Sequence, residues 1–248
     1  MKYFGLTDKG TARTENQDTF DIREVPSRGC LIIALCDGMG GQNSGNYASE
    51  LARRSFVDVV LAKLTSRVRR KPDLREVLEA ACTEANSVVC QYSRFTEEYN
   101  GMGSTLVGCV VLSDGKTHIA NVGDSRAYHV SIRDEKIRQI TNDHSLVEMY
   151  VRAGILTREE ARNHKNKNII TRAIGAEPSV SADFFELSLK KGEMLLLCSD
   201  GVSNLLTDDE LLSLAKQNRD PETLCEIIKD TVYERGAGDN LTVVVVAV

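Results

Sequence analysis

Two uninterrupted apolar runs, each followed by the dipeptide Asp-Gly, constrain this chain more than any other feature of its sequence. Residues 31–36 read LIIALC and are followed by Asp37, and residues 194–198 read MLLLC and are followed, after one serine, by Asp200. Apolar runs without alternation are typical of β-strands that are covered on both faces. The chain must therefore cover both faces of each strand, while a carboxylate stands where each run ends.

The order of the predicted elements favours an α+β fold. Helices are predicted in pairs between groups of strands, instead of singly after each strand as in a doubly wound parallel sheet. Predicted strands lie near residues 2–7, 19–25, 31–36, 104–112, 117–123, 125–132, 136–141, 183–189, 193–199 and 241–248, and the helices lie near 47–64 and 74–92 and after residues 207 and 220. We predict a four-layer α-β-β-α sandwich, in which two central, mainly antiparallel sheets are flanked by helix pairs.

The second half of the chain adds two expectations. Residues 104–141 contain four consecutive strand-like segments separated by turn signals, which favours an antiparallel meander. Residues from about 142 to 180 are polar and irregular, with short helical patterns at 146–153 and 157–162, and predict a surface subdomain. No stretch rich in Pro, Gly or Ser divides the chain, so we predict a single domain over residues 1–248.

The composition argues against several classes of protein. A formal net charge of −5 argues against general binding of nucleic acid or anionic membranes, and the basic run at residues 67–71 is interpreted as the solvated end of a helix. The apolar runs are too short to span a membrane, and the first residues contain no apolar signal-peptide core, so we expect a cytoplasmic protein. Seven cysteines without a CxxC pair fit free thiols in a reducing compartment. We also expect a monomer.

Four aspartates stand at predicted strand ends or junctions: Asp37, Asp124, Asp200 and Asp239. Carboxylates at such positions are partly desolvated, and they repel one another unless a cation neutralises them. Oxygen ligands select hard ions such as Mg²⁺ or Mn²⁺, and no His or Cys cluster has the spacing of a zinc site. The sequence therefore predicts a site for Mn²⁺ or Mg²⁺ at these side chains.

Gly38 and Gly201 follow two of these aspartates, and we predict a role for each. Glycine permits a sharp turn at a strand end, and it lets a carbonyl approach a metal where a Cβ would obstruct the contact. An isolated Asp-Gly pair is usually a turn, and Asp114 with Gly115 is interpreted as one. Two copies after matching apolar strands, together with the tripeptides GDS and GDN, favour a functional site instead.

Eight short motifs run along nearly the whole chain. They are GTARTENQD (10–18), CDGMGG (36–41), GMGSTL (101–106), NVGDSRAY (121–128), DHS (143–145), IITRAIG (169–175), LLLCSDGVSN (195–204) and GDNLTVVVV (238–246). Each motif alone has little specificity, but the set in this order is highly specific. It resembles the PPM family of metal-dependent serine/threonine protein phosphatases, in its compact bacterial form.

The resemblance implies metal-binding roles for five residues. In that family the aspartate matching Asp37 bridges two Mn²⁺ or Mg²⁺ ions, and those matching Asp200 and Asp239 complete the first ion's site. The backbone carbonyl of the residue matching Gly38 binds the second ion. The aspartate matching Asp124 holds a third, weaker ion together with the one matching Asp200.

The resemblance also implies an activity and two further catalytic residues. The arginine matching Arg13 grips the substrate phosphate, and the carboxylate matching Asp18 holds metal-bound water. The implied reaction is hydrolysis of phosphoserine or phosphothreonine on proteins by direct attack of a water or hydroxide that bridges the metals. The implied partners are phosphorylated proteins and a serine/threonine kinase that the enzyme opposes. The family fold, a β-sandwich flanked by helix pairs, agrees with the predicted layers, and residues 142–180 match its mobile flap.

Alternative functions stay open at this point. A non-catalytic relative could bind a phosphoprotein without turnover, because a fold does not guarantee a function. A phosphatase could also act on a small phosphoester or on a phosphorylated anti-sigma antagonist. The presence of every metal position favours an active enzyme.

Histidines separate this chain from many eukaryotic relatives. Met39 stands where those relatives carry a histidine proposed as the acid for the leaving alkoxide. A metal-bound water could donate that proton instead, so the general acid is open. His118 and His129 lie in strand patterns and are interpreted as structural, whereas His144 and His164 are open as groups near the site. The sequence NHKNKN before the TRAIG motif also departs from the family pattern, which puts the substrate preference in question.

Overall fold

The computed structural model describes residues 1–40, 44–66 and 72–248. The basic run at 67–71, for which we predicted a solvated helix end, and the last glycine of the CDGMGG motif lie outside the described residues. Two sheets form the centre of the fold, and every strand pair in them is antiparallel.

The strands divide between a five-stranded and a six-stranded sheet. The five-stranded sheet contains, in spatial order, β1 (Lys2–Asp8), β11 (Leu241–Ala247), β10 (Glu193–Cys198), β7 (Arg126–Ser131) and β8 (Lys136–Gln139). The six-stranded sheet contains β2 (Asp18–Val25), β3 (Cys30–Met39), β5 (Leu106–Leu112), β6 (Lys116–Val122) and β9 (Asp183–Ser188), and the short β4 (Gly103–Ser104) pairs with β3.

Helices cover the outer face of each sheet. The six-stranded sheet carries α1 (Gly45–Thr65) and α2 (Leu74–Phe95), and the five-stranded sheet carries α6 (Asp208–Gln217) and α7 (Pro221–Glu234) beside the short α5 (Asp200–Ser203). Local signals set the starts: Asp73 accepts a hydrogen bond from the Arg75 N–H, Thr207 forms a capping box with Glu210, and Pro221 follows the cap Asp220. The predicted α+β sandwich with four layers is confirmed.

Three apolar cores hold the layers together, one under each helix layer and one between the sheets. The strand β3 contributes to two of them. Its even-numbered residues Ile32, Ala34 and Cys36 belong to the core under α1 and α2, and the odd-numbered residues 31, 33 and 35 belong to the core between the sheets. Both faces of the strand are therefore buried, which explains the uninterrupted apolar run.

The predicted meander over residues 104–141 is wrong. The pairs β5–β6 and β7–β8 form as predicted, but β6 pairs onward with β9 and β7 pairs with β10, in the opposite sheet. The NVGDSR junction thus crosses between the sheets. Gly123 makes this crossing possible: its φ is +107°, and a Cβ there would lie 2.6 Å from the Cβ of Thr105. Alternating hydrophobicity indicates a strand but does not identify its neighbour.

The segment between β8 and β9 contains the two short helices predicted for it, α3 (Leu146–Arg152) and α4 (Arg158–Arg162), in otherwise irregular backbone. An isolated bridge joins Ser145 to Ile170 near the two ends of the segment, and Ile174 bridges Ser104 of β4. The segment therefore lies against the edge of β3 and β4. Its identity as a flap, and the single domain, remain predictions.

Two further expectations concern membrane-spanning segments and thiols. None of the helices in the described ranges is long and apolar enough to cross a membrane. All seven cysteines are free and buried. Burial raises the pKa of the Cys198 thiol to about 12, so this thiol is protonated and unreactive at neutral pH.

A close contact between α1 and β5 gives a test of the packing. A Cβ added at Gly108 would lie 2.3 Å from the ring of Phe56, which is fully buried. We expect Gly108→Ala to lower the free energy of unfolding by about 1–3 kcal/mol, because the ring must move within a filled core. Urea denaturation followed by circular dichroism measures the change.

The matched control is Gly238→Ala, since a Cβ at Gly238 meets no heavy atom of the described residues within 4 Å. We expect the control to change the free energy of unfolding by less than about 0.5 kcal/mol. Equal denaturation midpoints for the two variants would contradict the packing described here.

Candidate active site

The pleat of the core strands carries two carboxylates into the space between the sheets. The sequence suggested that Asp37 ends its strand. This expectation is wrong, because β3 continues to Met39 by pairing with β4. Its side chain follows residues 31, 33 and 35 on the face toward the other sheet. Asp18 of β2 stands directly opposite Asp37 in the register. The two carboxylates are therefore neighbours by strand geometry alone.

Asp18 is buried and is held by hydroxyls from the opposite sheet. Its Oδ2 accepts hydrogen bonds from Ser199 Oγ at 2.7 Å and from Thr242 Oγ1 at 2.8 Å. Its Oδ1 is buried and meets no hydrogen-bond partner among the described residues. Burial raises the pKa of Asp18 to about 7, and the two hydroxyl bonds oppose this rise only in part.

The backbone of Asp37 is fixed from both sides. Its N–H donates to Thr105 Oγ1 at 2.9 Å, and its carbonyl accepts from the Thr105 N–H at 2.8 Å and from Ser104 Oγ at 3.1 Å. The Thr105 hydroxyl also bonds Ser125 Oγ at 2.7 Å, across to the strand β7 side. Burial, followed by the negative charges of Asp18 and three other aspartates, raises the pKa of Asp37 well above its usual range.

Asp200 and Asp239 come from the C-terminal third of the chain. Asp200 is the first residue of α5, and Asn204 Nδ2 donates to its Oδ2 at 3.0 Å. Burial, together with the charge of Asp239, raises the pKa of Asp200. Asp239 precedes β11 and accepts from Arg13 with both oxygens, Nε to Oδ1 and Nη2 to Oδ2, each at 2.9 Å. The guanidinium is thus bound in a bidentate manner.

Asp124 lies in the crossover between β6 and β7 and is only 7% exposed. Its Oδ1 is buried and finds no hydrogen-bond partner within the described part of the chain. Burial, with smaller effects of Asp200 and Asp143, raises the pKa of Asp124 to about 8. The adjacent Gly123 donates its N–H to His144 Nδ1 at 3.0 Å.

Gly38 and Gly201 are required for space and not for a sharp turn. A Cβ at Gly38 would lie 2.0 Å from the Gly45 carbonyl oxygen, and a Cβ at Gly201 would lie 1.9 Å from the Asn240 carbonyl oxygen. Neither glycine has a positive φ. The expectation of sharp turns at strand ends is therefore wrong, because the backbone at these positions is a strand and a helix start. What the two positions demand is the close approach of a neighbouring backbone.

Sequence reasoning missed Asn240, which fixes the loop that carries Arg13. Its Oδ1 accepts from the Gln17 N–H at 2.9 Å, and its Nδ2 donates to the carbonyls of Lys9 at 3.0 Å and Glu15 at 2.9 Å. The asparagine of the GDN motif was the available signal. Sequence reasoning also missed Ser199, Thr242 and Thr105, because their hydroxyls cannot be recognised as part of the site without the strand register.

The histidines take different positions. His129 bonds Glu193 at 2.9 Å within the five-stranded sheet, and His118 lies on β6 in the six-stranded sheet. His164 Nδ1 accepts from the Asn166 N–H at 3.1 Å, within the irregular segment, and its ring packs edge-on against Tyr150. His144 is the histidine that contacts the turn of Asp124.

The structure brings the predicted site residues to one end of the sandwich. They are Arg13, Asp18, Asp37, Gly38, Asp124, Asp200 and Asp239. The negative charges of the other aspartates raise the pKa of the Asp37 carboxyl. The pKa of the Arg13 guanidinium is also raised, mainly by its hydrogen bonds to Asp239 and to a smaller extent by the charges of Asp200 and Asp37. Their individual roles as metal ligands remain predictions.

The chemistry of this donor set fits hard divalent cations. Every donor is an oxygen, and two buried carboxylate oxygens, on Asp18 and Asp124, have no protein partner in the described residues. The raised pKa values show that the carboxylates together favour neutralisation, which a cation provides. In the described ranges, no three His, Cys, Asp or Glu side chains already stand in a metal-chelating arrangement. Both oxygens of Asp239 are bonded to Arg13.

A cavity of about 390 Å³ adjoins two of these aspartates, Asp124 and Asp200. Asp124 and Asp200 line one side, and the segment that contains α3 and α4 lines the other. The residues from that segment that carry charge include Glu148, Arg158, Arg162 and Lys167. The cavity therefore links the aspartates to a surface of mixed charge.

Comparison with known proteins agrees with this geometry. The model of the family described as Protein phosphatase 2C matches residues 10–227. The serine/threonine phosphatase stp of Listeria monocytogenes is 35% identical over 240 residues, which covers 97% of this chain and 93% of that protein.

Two solved structures show the same fold. The serine/threonine phosphatase of S. agalactiae superposes with a TM-score of 0.89 at 32% identity, covering all of this chain and 99% of that one. The catalytic domain of the protein phosphatase PstP, in complex with two manganese ions, superposes with a TM-score of 0.81 at 29% identity, covering 98% of this chain and 96% of that one. The chain therefore belongs to the protein phosphatase 2C family, and the enzyme class expected from its sequence, a protein-serine/threonine phosphatase, is confirmed.

Proposed function

We propose that this enzyme hydrolyses phosphoserine and phosphothreonine on protein substrates with the help of two Mn²⁺ or Mg²⁺ ions. Asp37, the Gly38 carbonyl, Asp200 and Asp239 would hold these ions, and Asp124 would hold a third, weaker ion together with Asp200. The observation that carries the proposal is the convergence of aspartates from both sheets, each of which raises the pKa of Asp37. The manganese complex of the related PstP catalytic domain supports the choice of ion.

The ions, when bound, would supply a hydroxide nucleophile near neutral pH and would offset charge on the transferring phosphoryl group. The chain's own residues orient the reactants. Asp18 is held by Ser199 and Thr242, and its Oδ1, which has no hydrogen-bond partner among the described residues, can accept a hydrogen bond from the attacking water. No side chain has to form a covalent intermediate.

Arg13 would grip the substrate phosphate. Its Nε and Nη2 already hold a carboxylate through two parallel hydrogen bonds, which is the geometry that a guanidinium uses for phosphate oxygens. The side chain is 55% exposed, so a substrate can reach it. Met39 has no proton to donate, and water at the site would protonate the leaving alkoxide.

The segment 142–180 would act as the flap that contacts the protein substrate. It lines the cavity next to Asp124 with both positive and negative side chains, and this supports recognition of polypeptide rather than of a small phosphoester. We propose that the enzyme acts as a cytoplasmic monomer that opposes a serine/threonine kinase and binds neither nucleic acid nor membranes. A phosphorylated anti-sigma antagonist is an alternative substrate of the same chemistry.

Metal-dependent turnover tests the enzyme against a non-catalytic binder of phosphoproteins. We expect hydrolysis of p-nitrophenyl phosphate and of a phosphothreonine peptide only with Mn²⁺ or Mg²⁺ present. Asp37→Ala and Asp239→Asn should lower kcat/KM at least about 100-fold, because the first removes a metal ligand and the second removes the negative charge of another. Asp114→Asn, in an Asp-Gly turn away from the site, is the matched control and should keep full activity. If wild-type turnover with Mn²⁺ is no higher than that of Asp37→Ala and Asp239→Asn, the non-catalytic binder is favoured.

The third ion has a separate test. We expect Asp124→Ala to leave two Mn²⁺ ions bound per chain and to lower kcat about tenfold or more, since it removes one buried carboxylate without touching the two core sites. Isothermal titration gives the number of ions, and steady-state kinetics gives kcat. Unchanged kcat would remove the third ion from the mechanism.

Removal of metal should make stability depend on pH. Asp18 and Asp124 have pKa values of about 7 and about 8 in the fold, against an ordinary value of 3.8. Between these limits the folded protein keeps protons that the unfolded chain has released, so the free energy of unfolding should fall as the pH rises from about 4 to about 8. Urea denaturation of chelator-treated protein at pH 5 and pH 8 measures this loss.

Asp124→Asn should reduce the loss by at least about 1 kcal/mol, whereas Asp114→Asn should not change it. Addition of Mn²⁺ at pH 8 should restore stability because the cation offsets the released charge. A free energy of unfolding that is the same at both pH values, or one that Mn²⁺ leaves unchanged, would contradict the cofactor proposal.

A further inference from the structure

Asp124 depends on its backbone for its position, because it lies in a turn between two sheets and not within a strand. The turn is bracketed by two consecutive residues of the DHS motif. Arg126, on one side of Asp124, bonds Asp143 through Nε at 3.0 Å and Nη2 at 2.7 Å. Gly123, on the other side, bonds His144.

His144 binds both polar groups of the Gly123 backbone. The Gly123 N–H donates to Nδ1 at 3.0 Å, and the Gly123 carbonyl accepts from the His144 N–H at 3.0 Å. Gly123 has a φ of +107°, which glycine adopts readily, and its carbonyl also accepts from Asn121 Nδ2 at 3.3 Å. The imidazole therefore supplies the acceptor for the N–H of the glycine that lies one residue before Asp124.

The other ring nitrogen is anchored to the end of the irregular segment. His144 Nε2 lies 3.3 Å from Asp183 Oδ2 and 3.0 Å from Arg172 Nη1. A neutral imidazole has one lone pair, and the Gly123 N–H uses it at Nδ1. The proton must then be on Nε2, which donates to Asp183, while Arg172 Nη1 donates to Asp183 Oδ1 at 2.9 Å and to the Ser181 carbonyl at 2.8 Å.

The surroundings keep the ring in this state. His144 is 7% exposed, and burial lowers its pKa, which agrees with a neutral ring that accepts at Nδ1. Its backbone carbonyl also accepts from the Thr171 N–H at 2.7 Å. One residue thus joins the Asp124 turn to both ends of the segment that lines the cavity.

We propose that His144 is a positioning residue, which places the Asp124 carboxylate for the third metal ion by holding the Gly123 backbone through Nδ1. This inference rests on the proposed function only for its effect on turnover. The proposal assigns the positioning of Gly123 to Nδ1, and it predicts that any hydrogen-bond acceptor at the Nδ1 position is sufficient to hold the Gly123 N–H.

Two substitutions separate the ring nitrogens. The side-chain oxygen of His144→Asn reaches the Nδ1 position and can accept from the Gly123 N–H, whereas the amide of His144→Gln reaches the Nε2 position and leaves that N–H without its acceptor. We expect His144→Gln to lower kcat about tenfold and to raise at least about tenfold the Mn²⁺ concentration that gives half-maximal activation. KM for the phosphothreonine peptide should change less than twofold in either variant, and His144→Asn should keep most of the activity.

A readout without metal tests the same contact. In chelator-treated protein, the Gly123 amide should exchange with solvent at least about tenfold faster in His144→Gln than in wild type or His144→Asn, as measured by NMR. His164→Gln is the matched control, because His164 Nδ1 also accepts a backbone N–H but lies away from Asp124. It should alter neither the exchange of Gly123 nor kcat.

A double mutant distinguishes positioning from general loss of structure. If His144 acts through Asp124, His144→Gln should lower kcat no further in an Asp124→Ala background. Multiplicative losses in the double mutant, equal behaviour of the Asn and Gln variants, or unchanged exchange of Gly123 in His144→Gln would each overturn the proposal. An inactive wild type would refute the phosphatase function alone, and the exchange of the Gly123 amide would still decide the role of His144.

Discussion

Repulsion among the aspartates at one end of the sandwich is the constraint on which the rest of the structure depends. Asp18, Asp124 and Asp200 each raise the pKa of Asp37, so the fold gathers charges that would separate in a flexible chain. They stay together because the elements that carry them are embedded in apolar cores. The strand β3, for example, is buried on both faces and cannot withdraw Asp37 without exposing those faces. Apolar burial therefore keeps together a group of carboxylates whose repulsion a cation would reduce.

Polar contacts at the same end join the two sheets. Asp18 belongs to the six-stranded sheet, while the hydroxyls that bind it, on Ser199 and Thr242, belong to the five-stranded side. Thr105 and Ser125 form a second such bridge, directly beneath the Asp37 backbone. The core between the sheets consists of apolar side chains, and at its exposed edge Tyr3 Oη donates to Glu24 Oε1 at 2.8 Å. The carboxylates are thus placed where the interface is already polar, and hydrogen bonds offset part of the cost of burying Asp18.

Features of this site that depend on neighbouring residues in the sequence could be predicted, whereas features that depend on residues far apart in the sequence could not. The strand β3 and the positions of Asp37 and Asp200 depend on a few adjacent residues, and apolar patterning reveals them. The crossing of residues 121–126 between sheets was not predicted, because alternation identifies strands without their neighbours. Resemblance to a family singled out the aspartates that the fold brings together at one end of the sandwich, but it said nothing of the hydroxyls and amides that hold them. Asn240, more than 220 residues from Gln17, becomes visible only once β11 lies beside the N-terminal loop.

Two of the predicted functional groups, Arg13 and Asp124, lie on loops, and each loop is held in a similar way. Asn240 binds three backbone groups of residues 9–17, and His144 binds both backbone groups of Gly123. In both cases a buried polar residue supplies hydrogen bonds of the kind that strand pairing supplies to Asp37. The bonds from a single side chain are fewer than those of a sheet, so these loops can yield locally while the core strands stay fixed. The fold thus fixes the strand that carries Asp37 by pairing on both edges, and it fixes the backbone near Arg13 and Asp124 by a smaller number of hydrogen bonds.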